Sequence, residues 1–152
     1  MTDSARQAAL ALIRRENFVY VTSLDATGFP ETRVMFNLLK HRADALLGDG
    51  PARIPSDFAS AIATNTGSRK VGQMRADSRV CLYYSDNEKY EGCMVRGQMK
   101  EVVDPAIRRA IWADAWAMYY PGGLDGGDFS VFAFVPEHIR YYHGLAVHDI
   151  KA

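Results

Sequence analysis

Cysteine is scarce in this sequence: only Cys81 and Cys93 occur among 152 residues, and they lack C-x-x-C spacing. That excludes a disulfide framework or a thiolate metal centre as the organising device. If the segments around them form a hairpin turning near Asp86 to Tyr90, the thiols would lie nearly opposite each other. Two free thiols are the expected state in a reducing compartment. Histidine is sparse too. His41 and His138 stand alone, and His143 and His148 lack the i, i+4 spacing of a helical metal pair, so no metal is expected. Net charge is missing: Lys plus Arg and Asp plus Glu both number 18. No long-range field favours nucleic acid or an acidic membrane, so any anion must be held by local groups. Long apolar runs are absent as well. The opening MTDSARQAALALIRRENF interleaves Asp3, Arg6, Arg14 and Arg15 with its apolar residues, which fits neither a signal peptide nor a membrane span, and a cytoplasmic protein is expected. The fingerprints G-x-G-x-x-G and G-x-x-x-x-G-K-S/T do not occur, leaving Rossmann and P-loop folds without support.

What is present is enough apolar residue, 48% of the chain, for one domain over residues 1–152. Residues 4–16 have helical periodicity, with Asp3 or Ser4 as cap. FVYVTSL (18–24), a DATGFP turn and ETRVMFNLL (31–39) then predict a β-hairpin. In its second strand Thr32, Val34, Phe36 and Leu38 read as the core face, and Glu31, Arg33, Met35 and Asn37 as the opposite, more polar one. Residues 40–56 form a charged connection with one short helix at HRADALL. DFASAIAT (57–64) predicts a strand, SRKVGQMRAD a short helix with Val71 and Met74 inward, and 79–85 with 90–103 a second hairpin. Asp104 and Pro105 open a helix that continues through IRRAIWADAWAMYY, so Trp112 and Trp116 share a face. YPGGLDGGD makes a loop, with Asp125 and Asp128 as turn residues, and 129–135 and 137–143 are the last strands, separated at Pro136. About seven strands in consecutive hairpins, with helices inserted between them, predict a mainly β fold: an antiparallel barrel with peripheral helices.

One segment carries more chemistry than a turn requires. TNTGSRK (64–70) places Ser68, Arg69 and Lys70 at the start of a helix. An ordinary turn with solvated cations explains it. So does a seat for a phosphate, because a helix N-terminus offers unpaired N–H groups and a positive dipole end. Two cations at that end weaken a helix unless an anion accompanies them. Arg33 is a third cation that a barrel can bring near, or a surface residue paired with Glu31.

TNTGSRKVGQMRADSRVCLYY resembles the T-N-x-x-S-R-K-x-x-Q segment of pyridoxamine 5'-phosphate oxidase-like flavoproteins, which have a split β-barrel fold. VTSLDATGFPETRVMFNL, the Trp112/Trp116 helix, YYPGG and PEHIRYYHGL are similar to the general stress protein branch, and the resemblance covers nearly the whole chain. It implies a homodimer with FMN at the subunit interface. Arg69, Lys70, Ser68 and Arg33 would hold the phosphate; Val34, Met35 and Phe36 would run beside the ring; Ala63 and Thr64 would line the approach; Trp112 and Trp116 would pack the core or the dimer interface, or cover the flavin. The chain departs from the name-giving oxidase where that enzyme has a lysine five residues beyond the arginine, since Leu38 stands there, and where it has a glutamine, at Gly92 or Glu91. Its S-R-P-x-x-S and R-L-x-x-x-R segments are also missing, so oxidation of pyridoxamine phosphate is not expected. Two functions remain open: an FMN-dependent oxidoreductase acting on a small molecule, with a nicotinamide as one donor, or a non-catalytic protein that binds or senses FMN or a related phosphate ligand.

Overall fold

The computed structural model describes residues 2–152. Helix α1 (Thr2–Arg15) is followed by β1 (Phe18–Leu24) and β2 (Pro30–Phe36), two short helices α2 (Leu38–His41) and α3 (Ala43–Leu46), β3 (Ser60–Asn65) and helix α4 (Arg69–Ala76). Then come β4 (Arg79–Asp86), β5 (Glu91–Glu101), helix α5 (Pro105–Ile111), a 3-10 turn (Asp114–Met118), β6 (Phe129–His143) and β7 (Ala146–Lys151). All strand pairings are antiparallel, in the order β2-β1-β4-β5-β6-β3, with β7 on the far half of β6. The terminal strands β2 and β3 do not pair with each other. The sheet curls around a core of Val19, Val21, Leu82, Val95, Phe132 and Ile139, which α1 closes with Ala9, Leu12 and Ile13. This is the expected antiparallel split barrel.

Several details differ from the sequence pattern. Helix α1 already contains Asp3 and Ser4, so neither is its cap. The face of β2 read as core lies outside: Val34 is 54% and Phe36 49% exposed, whereas Glu31, Arg33 and Met35 turn inward and only Leu38, beyond the strand, is buried. Alternation identifies two faces but not which of them is covered, and a satisfied arginine can take the inner one. The strand expected over 57–64 is confined to Ser60–Asn65, and residues 40–56 contain α3 and the end of α2 in place of one helix. Asn37 anchors this connection. Its amide nitrogen donates to the carbonyls of Ile13 (2.6 Å) and Glu16 (2.8 Å), and its oxygen accepts from Leu39 N at the start of α2.

The helix expected from Pro105 to Tyr120 breaks at Trp112, whose extended ψ of 138° ends α5 before the 3-10 turn. Conversely, β6 runs without interruption through Pro136, which faces a register shift between Arg96 and Gly97. A bulge removes the requirement for an N–H that proline lacks. Strand β7 was not anticipated; Gly144, at φ 59°, makes the turn into it. Cys81 pairs with Arg96 and Cys93 with Tyr84, so the thiols occupy opposite faces of the sheet and both are free. Burial pushes the Cys93 thiol up to about 12.

Gly97 is the residue that the bulge cannot replace. A Cβ there would overlap the Val135 carbonyl and sit 2.8 Å from Phe134 Cζ. Gly97→Ala is expected to destabilise the fold by about 1–3 kcal/mol through overpacking. Gly50→Ala, where a Cβ meets nothing within 4 Å, should change stability by less than about 0.5 kcal/mol. Urea unfolding of the two variants checks this.

Candidate functional site

The inward face of β2 meets helix α4. Arg33 Nη1 donates to Ser23 Oγ (2.7 Å), the Glu31 carbonyl (3.0 Å) and the Val21 carbonyl (3.3 Å), and Nη2 donates to Gln73 Oε1 (3.3 Å). Ser23 is fully buried, and its hydroxyl donates to the same Gln73 oxygen at 2.5 Å. Burial lowers the Arg33 pKa, and the Arg69 charge lowers it further, against the opposing pull of Glu31. The Glu31 side chain accepts from Gln73 Nε2 (2.5 Å) and, through both oxygens, from Arg69 Nη2 (2.9 and 2.7 Å). Those hydrogen bonds, Gln73 first and Arg69 second, hold its carboxyl below the usual range. The side-chain partner expected for Arg33 therefore serves Arg69 instead.

The N-terminus of α4 is set by a local turn. Asn65 Oδ1 accepts from Gly67 N (2.9 Å), the Asn65 carbonyl accepts from Ser68 N (3.0 Å), and Thr66 Oγ1 contacts Ser130 Oγ at 2.6 Å. Ser68 is the N-cap residue, yet its side chain makes no capping bond. Its Oγ is buried without a hydrogen-bond partner. Beside it, Lys70 Nζ donates to Thr64 Oγ1 at 3.0 Å. Among the described residues Lys70 has no carboxylate partner; burial, and then the charge of Arg33, lower its pKa. A half-buried cation, a second cation behind it and an orphan hydroxyl at a helix N-terminus are each unfavourable alone. An anion with several acceptor oxygens relieves all three.

The open seam between β2 and β3 continues from this cradle. A groove of about 230 Å³ is lined by Phe36 and Leu38 on one bank, Ala63, Thr64 and Asn65 on the other, and Trp116, Tyr119 and Tyr120 above. Tyr119 and Phe36 also border an adjoining hollow with His41 and Met118. The aromatic bank is braced by Phe129, 5.0 Å from both Trp112 and Tyr120 and 6.1 Å from Trp116. Arg108 lies over the same ring at 5.2 Å and donates to the Phe129 carbonyl.

Of the residues singled out from sequence, Arg33, Thr64, Ser68, Arg69 and Lys70 gather at the cradle, and Phe36, Ala63, Thr64 and Trp116 line the groove. Val34 faces outward, Met35 packs against the core, and Trp112 lies behind Trp116 at 6.3 Å without lining the groove. The i, i+4 argument for that tryptophan pair fails with the helix, but Phe129 brings the rings together. Ser23 was missed. A serine in a strand gives no signal until the inward arginine across from it is known. Asp128 is a turn residue, its Oδ2 accepting from Gly122 N at 3.1 Å.

A family model described as pyridoxamine 5'-phosphate oxidase matches residues 5–143. No curated protein matches the chain. Among solved structures, a Clostridium acetobutylicum protein related to general stress protein 26 superimposes with a TM-score of 0.79 at 24% identity, over 99% of this chain and 96% of that one. General stress protein 26 from Bacillus anthracis gives 0.69 at 12% identity over 95% and 98%. A structure described as a heme binding protein from Mycobacterium smegmatis gives 0.70 at 16% identity over 97% of this chain and 57% of that one. At such identities the likeness is one of fold.

The desolvated Lys70 gives the cradle a pH dependence. Its lowered pKa means that it loses its charge below the ordinary lysine value of 10.5. A phosphate monoester remains a dianion above pH 7, so its affinity should fall as pH rises through the Lys70 pKa, by about 10- to 100-fold for one lost charge-assisted bond. Calorimetric titration between pH 7 and 10 checks this, and Lys70→Arg should flatten the curve.

Proposed function

This chain belongs to the pyridoxamine 5'-phosphate oxidase family, and on that premise we propose that it is a flavoprotein that holds FMN by its phosphate and serves a redox reaction on a small molecule. The observation that carries this is the orphan Ser68 hydroxyl beside the carboxylate-free Lys70 at the start of α4. Arg33, Thr64, Ser68, Arg69 and Lys70 would hold the phosphate. The β2 edge from Val34 to Phe36, which among the described residues pairs with β1 alone, would offer backbone groups, and the groove would take the apolar ring against Trp116. When bound, the flavin supplies hydride or electron transfer. The protein's share is to bind, orient and exclude water.

Phe18, Tyr20, Val34 and Phe36 lie on one outer face of β1 and β2, each between 43% and 54% exposed. An apolar sheet face needs a second layer, and a second copy of the chain provides it, making the protein a homodimer. The Phe36 end of that face borders the groove. The interface would therefore complete the flavin site. No helix among the described residues is long and apolar enough to cross a membrane. The two free thiols suit the reducing cytoplasm.

The second function, storage or sensing of FMN without turnover, is favoured by one observation. Among the described residues, no carboxylate, histidine or thiol lines the groove. The visible spectrum of the purified protein, followed by anaerobic addition of NADH and NADPH, separates the two. A yellow protein bleached by a nicotinamide is the expected result; yellow without bleaching supports sensing, and a colourless protein that takes up no FMN sinks both. Arg69→Ala with Lys70→Ala should weaken FMN binding at least ~100-fold, for two lost charge-assisted bonds. Unfolding free energy should change by less than about 1 kcal/mol. Phe18→Glu should convert the dimer to monomer in light scattering and release flavin with it.

A further inference from the structure

The hollow beside the groove measures about 220 Å³ and is lined by Phe36, His41, Ala115, Trp116, Met118 and Tyr119. Phe36, Trp116 and Tyr119 line the groove as well, so an occupant of the hollow lies next to an occupant of the groove. These walls are poorly covered on the single chain. Met118 is 76% and Tyr119 52% exposed, and the 3-10 turn that carries Met118 has no buried residue. Apolar and aromatic side chains grouped around a concavity, with few polar groups among them, characterise a site for a small ligand.

The lining indicates which ligand. Among the described residues no lysine, arginine, aspartate or glutamate borders the hollow, so a charged occupant would lose hydration without gaining a countercharge. Aromatic walls favour a flat ring. Two polar groups remain. His41 lies edge-on to Phe36 at 5.2 Å, and its Nε2 is 3.0 Å from the Asn17 carbonyl. That nitrogen therefore carries the hydrogen, and Nδ1 of the neutral ring is left as an acceptor. The Tyr119 hydroxyl supplies a donor. A donor for a carbonyl and an acceptor for a hydroxyl suit both members of a quinone–hydroquinone couple. We propose that the hollow is the substrate pocket and that its substrate is an uncharged, single-ring quinone. This rests on the flavin reading above and names its substrate class. With the nicotinamide named there as donor, quinone, NADH and one proton become hydroquinone and NAD+; the two electrons leave the nicotinamide, which is oxidised, and reach the quinone, which is reduced.

Protein with and without FMN is dialysed to equilibrium against three rings of similar size: duroquinone, which is uncharged, chloranilate, a benzoquinone dianion, and phenyltrimethylammonium, a cation. Duroquinone is expected to bind wild type at least about tenfold more tightly than either ion. Ala115→Leu fills the hollow from a wall that the groove does not share, and should weaken duroquinone binding by about tenfold or more while FMN affinity stays unchanged. Met118→Lys places a cation on an exposed wall and should raise chloranilate affinity to that of duroquinone or above. Circular dichroism confirms that each variant is folded. Photoreduced, FMN-loaded wild type mixed anaerobically with duroquinone should turn yellow again, and Ala115→Leu should do so at least about tenfold more slowly. Tighter binding of either ion to wild type, indifference of duroquinone to Ala115→Leu, or no return of colour overturns the quinone pocket and leaves the flavin reading standing. Failure of FMN to bind, with duroquinone still held in an Ala115-dependent way, overturns the flavin reading instead.

Discussion

A guanidinium turned into the barrel from the edge strand β2 sets the geometry of everything around it. Arg33 cannot sit inward unless its donors are met, because a buried charge without partners costs several kcal/mol. Ser23 on β1, two backbone carbonyls and Gln73 on α4 meet them. Gln73 in turn binds Glu31, and Glu31 binds Arg69. The relay ties the first hairpin to one face of α4 and so fixes where that helix begins. The cradle at its N-terminus is thus a consequence of satisfying one arginine, and Gln73 joins the hairpin side to the helix side.

The second constraint is the seam. Most barrels remove their edges by closing, whereas this sheet leaves β2 and β3 apart. An unpaired edge is a liability unless something occupies it. Here one bank of the seam carries Phe36 and the other Ala63 and Thr64, with Trp116 and Tyr119 across the top. The seam begins at Thr64, the residue that also receives the Lys70 ammonium. A ligand with a phosphate at one end and a flat apolar body at the other matches this sequence of surfaces.

Much of this was legible from residues alone. The hairpin order gave an antiparallel barrel because turn chemistry and strand alternation are local signals, and Asp104 with Pro105 marked the start of α5 correctly. The gathering of Thr64, Ser68, Arg69 and Lys70 around the start of α4 was legible as a surplus of cations and hydroxyls. The inside and outside of β2 were not. Both of its faces hold apolar residues, and the choice depends on Arg33 finding Ser23 and Gln73, 10 and 40 residues away. The break at Trp112 was illegible for a similar reason. WADAWAM has good helical propensity, and packing on Phe129, from a distant strand, overrides it. Likewise, Pro136 signals an end locally, while the bulge that accommodates it belongs to β5.

The outward face of β2 and the cradle are linked by the same alternation. Because Arg33 must point in, Val34 and Phe36 must point out, and with Phe18 and Tyr20 they form an apolar face on the single chain. Exchanging the two faces would bury those side chains but strand the guanidinium in solvent and dissolve the relay to α4. The exposure of Val34 and Phe36 is thus the cost of turning Arg33 inward on an edge strand. In the proposed homodimer a second copy would cover that face, and because Phe36 also borders the groove, association and ligand retention would act on the same side chain.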